Sequence, residues 1–213
     1  MIKLLKHYKI IIFDFDGVIK ESVQIKTNAF RYLFSEYSSE ILNKIVSHHK
    51  KYGGISRNEK IAYYFENYIG KKITNDELEI WCNNFSTLVL KQVIQSPWVH
   101  GILAYLQQNY QTQHFYIATG TPQHEIEYIV EKTKINTYFR GVFGSPLKKE
   151  NIINNIIKEE MVRKEEVVMI GDSMTDYLAA RHNKIMFLLR DTSENVMQFS
   201  QNDCLRIRDF TRA

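Results

Sequence analysis

Apolar positions follow two different rhythms along the chain. Residues 9–17 form a short β-branched run that ends in acids and a glycine, and this pattern predicts a buried strand with a polar carboxyl end. From Ser22 to about Ser96 the apolar positions instead recur at helical spacing, and Thr74 stands as a predicted N-cap three residues before Glu77. The predicted helices of this stretch cover residues 23–37, 40–51, 57–69 and 75–94.

Strands and helices alternate after Pro97. The predicted helices are 99–109, 122–132, 149–160 and 175–183, and the predicted strands are 114–118, 142–143, 167–170, 185–189 and 205–207. Strands separated by helices of this length imply right-handed crossovers and a doubly wound parallel sheet. We therefore expect an α/β fold in which a core of residues 1–20 and 96–213 carries an all-helical insertion of residues 21–95, which we call the cap.

Composition indicates a folded protein and narrows its partners. Of the 213 residues, 44% are hydrophobic and 24% are charged, so the chain can bury a sizeable core. The net charge of +4 argues against a polybasic role and is compatible with acidic small molecules as binding partners. Cys82 and Cys204 are the only cysteines, so we expect neither a disulfide scaffold nor a cysteine zinc site, and we expect a cytoplasmic protein. No apolar segment has the length of a secretion signal or a membrane span, so no membrane partner is expected.

Two acids follow the first predicted strand. Asp14 and Asp16 lie two residues apart, so on an extended backbone both side chains point to the same face. Such acids repel each other unless a cation lies between them or one of them is protonated. The alternative is a plain polar turn formed by Asp16 and Gly17.

Two further strand ends carry groups that suit an anion. Thr121 is the expected N-cap of the helix that follows the second core strand, which leaves Thr119 and the Gly120 amide to face the cleft as an anion site. Lys148 and Lys149 open a later helix, where a positive charge is unfavourable unless an anion or a carboxylate lies nearby. One of the two lysines is expected to be solvated.

A second pair of acids follows the fourth predicted strand. Asp172 stands at the strand end, and Asp176 falls in the first turn of the next helix, where the helix dipole also favours an acid. In an open parallel sheet the carboxyl ends of the strands meet at one edge, so these acids are expected to converge with the earlier pair. Carboxylate oxygens suit Mg²⁺, and a phosphoryl group would then be the partner of the lysine.

Four strings of the sequence resemble, in order, the four motifs of the haloacid dehalogenase (HAD) superfamily. They are Phe13-Asp14-Phe15-Asp16-Gly17-Val18, Ile117-Ala118-Thr119, Lys149 after Gly144-Ser145-Pro146, and Gly171-Asp172-Ser173-Met174-Thr175-Asp176. The resemblance spans nearly the whole chain and implies a Rossmann-like core. The helical insertion directly after the first motif resembles the subgroup that includes phosphoglycolate phosphatase and β-phosphoglucomutase.

The resemblance assigns roles to the acids. It implies that Asp14 is the nucleophile that forms an aspartyl-phosphate, and that Asp16 is the general acid and then the general base. It also implies that Mg²⁺ is bound by the Asp14 carboxylate, the Asp16 backbone carbonyl and Asp172. Asp176 would bind the metal through water or orient the other ligands.

The resemblance also assigns the residues that hold the phosphoryl oxygens. These are Thr119, the Gly120 amide and a lysine of the third motif. Lys149 is favoured over Lys148 because it starts the helical register and because family members often place this lysine three residues after Gly-Ser-Pro.

The cap segment 48–60 is the expected source of substrate contacts. It carries four basic residues against one acid, a net charge of +3 with neutral histidines. A loop that contains Gly54 and the following Arg57 could lower onto the site and bind an anionic substrate; the alternative is a solvated hinge. Five aromatic residues nearby are expected to form the core of the cap: Tyr63, Tyr64, Phe65, Tyr68 and Trp81.

The leading functional hypothesis is a Mg²⁺-dependent phosphatase that hydrolyses a small phosphorylated metabolite. Asp16 supports phosphate-ester chemistry, because relatives that act on carbon–halogen or carbon–phosphorus bonds generally lack an acid at that position. A phosphomutase of the same superfamily and a non-catalytic binding protein are the alternatives. A nucleic-acid end phosphatase is the third, although the basic side chains are scattered and no aromatic–basic stripe is visible. We expect a monomer or a weak dimer.

Overall fold

The structure is a computed structural model, and it describes residues 2–192, 194–202 and 204–211. The helices are α1 (Ile2–Leu5), α2 (Val23–Leu33), α3 (Ser39–Lys51), α4 (Arg57–Tyr64), α5 (Asn75–Gln95), α6 (Ile102–Asn109), α7 (Gln123–Lys132), α8 (Lys149–Glu159) and α9 (Met174–Asn183). The strands are β1 (Ile10–Phe13), β2 (His114–Pro122), β3 (Gly141–Ser145), β4 (Val167–Gly171), β5 (Met186–Arg190) and β6 (Leu205–Ile207).

The strands of the described residues form one parallel sheet in the order β3-β2-β1-β4-β5-β6. The first strand lies at the centre, with Ile12 paired to Tyr116 on one side and to Met169 on the other. The direction of progression along the sheet reverses between β1 and β4, and ligands of open parallel sheets bind at such a switch point. The predicted doubly wound α/β fold is confirmed.

Helices cover both faces of the sheet. Ile11 and Phe13 of β1 point to a core shared with α6, α7 and the cap, whereas Ile10 and Ile12 point to a second core against α8 and α9. All four side chains are fully buried, which is why the β1 sequence is continuously apolar rather than alternating.

The helices α2 to α5 lie within the predicted cap and pack around aromatic side chains. Phe34 stacks on Trp81 with ring centroids 4.9 Å apart, and Tyr64 and Phe65 are buried as expected. Tyr63, which was expected in this core, is 39% exposed. Its ring instead stacks on His48 at the surface.

Several element boundaries differ from the sequence predictions. Helix α2 ends at Leu33 rather than at residue 37, because Phe34 leaves helical geometry to pack into the cap. Helix α6 begins at Ile102 rather than at residue 99, because Gly101 has a φ of 80°, outside the range of a helix. Helix α4 continues as a π-helix over Phe65–Ile69, which sequence periodicity does not distinguish from an α-helix.

Candidate active site

Three carboxyl groups converge at the carboxyl ends of β1 and β4. Asp14 directly follows β1, Asp172 follows β4, and Asp176 lies in the first turn of α9. One carboxylate oxygen of each lies within 4.8 Å of the others. The parallel pairing of β1 with β4 brings these distant parts of the sequence together.

Asp14 is almost completely buried and is held from two sides. Its Oδ1 accepts a hydrogen bond from the Phe15 amide at 2.7 Å, and its Oδ2 lies 3.1 Å from the Lys149 ammonium. Burial raises the pKa of Asp14 to about 7, against the positive charge of Lys149, and the carboxylates of Asp176 and Asp16 raise the pKa further. The single lysine therefore does not balance the charge around Asp14.

Lys149 is the lysine that the structure brings to the acids. It is buried, and its ammonium donates to Asp176 Oδ1 at 2.5 Å. Burial lowers the pKa of Lys149, but the charges of Asp14 and Asp176 outweigh that effect, so the net shift is upward. Lys148 precedes α8 and is exposed to solvent.

Asp176 is completely buried and uses both of its oxygens. While Oδ1 accepts from Lys149, Oδ2 accepts from the Ser173 amide at 3.1 Å and from the Ser173 hydroxyl. These bonds form the capping box of α9. This geometry fits the expected orienting role of Asp176 better than direct metal ligation.

The site fits a hard divalent cation. Burial raises the pKa of Asp172 well above its usual range, and the repulsion by Asp14 and Asp176 adds to that shift. Three carboxylates face one ammonium, and oxygen ligands of this kind suit Mg²⁺. Asp14 and Asp172 would hold the ion, with Asp176 behind them. The side chain of Asp16 does not belong to this cluster.

Asp16 is held by a network that reaches from the core into the cap. Its Oδ1 accepts from the Ser22 hydroxyl at 2.6 Å, and its Oδ2 accepts from Lys26 of α2 and from the Thr121 hydroxyl. Burial raises the pKa of Asp16, but the Lys26 charge and the hydrogen bonds from Lys26, Ser22 and Thr121 outweigh it, so the pKa lies below the usual range. Sequence reasoning missed Lys26, although its spacing of four from Ser22 at the start of a helix was visible.

The expectation that Thr121 caps α7 is wrong. The N-cap position is occupied by Pro122, without a side-chain cap, because β2 extends through the Thr-Gly-Thr segment. The Thr121 hydroxyl instead accepts a hydrogen bond from Lys26 at 2.8 Å and donates to Asp16. Thr119 is buried, and its hydroxyl accepts from the Thr121 amide at 3.3 Å.

The cap loop lies directly over the strand ends of the core. The Thr175 hydroxyl donates to the Gly53 carbonyl at 2.8 Å. A Cβ at Gly120 would lie 2.3 Å from the Gly54 carbonyl oxygen, so only glycine permits this approach. Gly54 and Gly120 are therefore in contact across the cap–core boundary, at the place where the sequence predicted a phosphate site.

A cavity of about 100 Å³ lies between the cap and the core, beside Asp14 and Asp16. The walls combine core residues, including Thr119 and Asp172, with cap residues such as Lys60. A cavity of this size suits a small metabolite.

Arg57 lines this cavity, but its contacts differ from the expected contact with substrate. Its guanidinium forms an ion pair with Glu125 of α7 and donates to the Ser86 hydroxyl. The two charged side chains are 5% and 6% exposed. The guanidinium therefore joins the cap to the core, and contact of Arg57 with a substrate stays a prediction.

The sequence model of the haloacid dehalogenase-like hydrolases matches residues 11–189 of this chain. The match includes the strands that carry the acids and the whole helical insertion. The chain therefore belongs to the haloacid dehalogenase-like hydrolases, and the predicted resemblance is confirmed. No curated protein matches the chain.

Three solved structures show the same fold. A predicted phosphoglycolate phosphatase from Haemophilus somnus is 16% identical with a TM-score of 0.70, over 96% of this chain and 95% of that one. A mutant of CbbY from Rhodobacter sphaeroides, in complex with xylulose-(1,5)bisphosphate, is 15% identical with a TM-score of 0.75, over 95% of each chain. YfnB from Bacillus subtilis, bound to magnesium, is 15% identical with a TM-score of 0.67, again over 95% of each chain.

Among the described residues, no helix combines the length and the apolar character needed to cross a membrane.

Proposed function

We propose that this protein is a Mg²⁺-dependent phosphatase that hydrolyses a small phosphomonoester through an aspartyl-phosphate on Asp14. One observation carries the proposal: the buried Asp14 carboxylate contacts Lys149 and lies close to two further carboxylates, beside a cavity between the cap and the core. This is the arrangement needed for a nucleophile that must approach a phosphoryl group despite its own negative charge. The magnesium-bound neighbour YfnB and the phosphatase-like neighbour from Haemophilus somnus support the same chemistry.

In the first half of the reaction, an Asp14 oxygen attacks phosphorus and the ester P–O bond breaks. Asp16 must carry a proton at the start of this half, and it gives that proton to the leaving oxygen, so the alcohol departs neutral. Lys149 neutralises charge beside the reacting carboxylate, and Thr119 with the Gly120 amide would bind the phosphoryl oxygens. When bound by Asp14 and Asp172, Mg²⁺ would supply further neutralisation and orientation of those oxygens.

In the second half, water replaces the alcohol. Asp16 takes a proton from the water, whose oxygen attacks phosphorus, and the bond between phosphorus and Asp14 breaks. Inorganic phosphate leaves and the Asp14 carboxylate is restored. Lys26 supports this half by holding Asp16 in its ionised form.

A phosphomutase is the second candidate, because the cap loop contacts the core beside the cavity and a phosphomutase must keep water from the aspartyl-phosphate. In that reaction a substrate hydroxyl takes the phosphoryl group from Asp14 in place of water. Transfer of phosphate to a second hydroxyl without release of inorganic phosphate would favour this candidate.

The test is release of inorganic phosphate from a panel of small phosphomonoesters, with and without Mg²⁺. Wild type should release phosphate only with the metal, and Asp14→Asn should release none while it keeps its fold by circular dichroism. Undiminished release by Asp14→Asn would falsify the assignment of Asp14 as nucleophile.

A further inference from the structure

Lys60 is a buried cation on the cap side of the cavity. It lies on α4, is 3% exposed and lines the cavity together with Asp16. Its ammonium contacts His49 Nδ1 at 3.1 Å. Within the described part of the chain, no carboxylate lies within ion-pair distance of Lys60.

His49 does not supply the missing negative charge. Burial lowers the pKa of His49 well below its usual value, and the charges of Lys60 and Lys26 add to that effect. The neutral ring therefore accepts one hydrogen bond from the ammonium and fixes its position. An ammonium has three donors, so two remain for another acceptor.

Three other cations close to the active site each face a carboxylate. Lys26 pairs with an acid of the core, Arg57 pairs with Glu125, and Lys149 lies between two acids. Lys60 differs because its charge is buried without such a partner, and burial of an unpaired charge is costly. The cost is relieved when an anion enters the cavity.

Lys60 and Asp16 line the same cavity, Lys60 from the cap and Asp16 from the core. Burial lowers its pKa to about 7, and among its neighbours the charge of Lys26 lowers the pKa while that of Asp16 raises it. Asp16 is the residue that would protonate the leaving oxygen, so a group attached beyond that oxygen would meet Lys60.

We infer that Lys60, positioned by His49, binds a second anionic group of the substrate. The substrate class is then a small phosphomonoester whose leaving group carries a carboxylate or a second phosphate. This inference rests on the proposed function, in which Asp14 receives the phosphoryl group.

The experiment compares three esters with the same two-carbon chain: ethyl phosphate, phosphoglycolate and 1,2-ethanediol bisphosphate. Wild type should prefer at least one charged ester over ethyl phosphate by about tenfold or more in kcat/KM, since the unpaired ammonium is satisfied only by the charged tail. The charged ester with the larger preference shows whether the second anionic group is a carboxylate or a phosphate. In Lys60→Met, the ratio of kcat/KM for the charged ester to kcat/KM for ethyl phosphate should fall by about tenfold.

Lys91→Met is the matched control, because Lys91 is an exposed lysine on the cap helix α5 and the same charge is removed there. This variant should keep the wild-type preference. A preference near one in wild type, or an unchanged preference in Lys60→Met, would overturn the inference.

Calorimetry separates this inference from the proposed function. The three esters are titrated into Asp14→Asn, which cannot form the aspartyl-phosphate, and a charged ester should bind more tightly than ethyl phosphate. Tighter binding without turnover by wild type would reject the phosphatase and support the second anion site. Equal binding of all three esters would reject that site, even if Lys60→Met does not fold.

Discussion

Arg57 on the cap and Glu125 on the core form an ion pair in which both side chains are almost completely buried. The Glu125 carboxylate also accepts a hydrogen bond from the Ser86 hydroxyl of α5. Two cap helices are thereby tied to one core helix. The pair joins the cap to the core without any ligand, so it contributes to the stability of the cap–core contact.

Glu125→Gln should destabilise the protein by about 3–5 kcal/mol, because it leaves the Arg57 charge buried without a counter-charge. The double variant Arg57→Met with Glu125→Met should cost less than the sum of the losses from Arg57→Met alone and Glu125→Met alone. Urea unfolding measures all of these values. An additive double variant would show that the two side chains do not act as a pair.

The exposed pair Lys44 and Glu40 is the control for this measurement. Lys44→Met should leave the free energy of unfolding nearly unchanged, since solvent screens exposed pairs. Equal losses from Lys44→Met and Glu125→Gln would contradict the assigned importance of burial.

The metal-free protein should lose stability as pH rises from 3.8 through about 7. The ordinary pKa of Asp14 is 3.8 and burial raises it to about 7, so between these values the folded protein binds a proton that the unfolded chain has released. Asp14→Asn should therefore flatten this part of the curve of melting temperature against pH. Mg²⁺ should flatten it in wild type, since the ion compensates the carboxylate charge.

Asp172→Asn tests the metal assignment within the same series. It should abolish most of the Mg²⁺-dependent rise in melting temperature, because one of the two expected ligands is lost. A full Mg²⁺ response in this variant would place the ion elsewhere.

Lys26→Met should lower kcat by about tenfold or more, because it disturbs Asp16, the group proposed to transfer the proton. Burial raises the pKa of Asp16 and the Lys26 charge opposes that rise, so removal of Lys26 should move the acidic limb of the kcat profile to higher pH. Ser22→Ala removes a hydrogen bond to Asp16 without a charge and should give a smaller shift in the same direction. An unmoved acidic limb in Lys26→Met would argue that Lys26 does not control Asp16.

Lys60→Met should stabilise the ligand-free protein below pH 10.5. Burial lowers the pKa of Lys60 from 10.5 to about 7, so between these values the unfolded chain binds a proton that the folded protein has lost. Wild type therefore loses stability as pH falls from 10.5 through 7. Thermal melts across this window should show a gain that is largest near pH 7 and disappears near pH 10.5, whereas a gain independent of pH would point to packing alone.

The positions of the acids could be predicted from the sequence because each follows a strand of clear pattern. Asp14 and Asp172 lie far apart in the sequence, yet a parallel sheet brings its carboxyl ends to one edge. The choice of Lys149 followed from helical register and from the resemblance to relatives. The fold class required only the alternation of strands and helices after Pro97.

The partners of the cap residues could not be predicted in the same way. Arg57 looked available to a substrate because nothing local in the sequence indicates that Glu125, on a distant helix, pairs with it. Lys26 was missed for the same reason, since its partner Asp16 lies on another element. Thr121 resembled a helix cap, but an extension of β2 placed its hydroxyl on Asp16 instead.

Arg57 and Lys60 lie one turn apart on the same short helix, α4. A movement that separates Arg57 from Glu125 must also withdraw Lys60 from the cavity, since a single rigid segment carries both. With the role inferred for Lys60, opening the cap would release the far end of a bound substrate at the moment when the near end becomes exposed to solvent. The same movement of the cap would therefore admit the substrate and release the product.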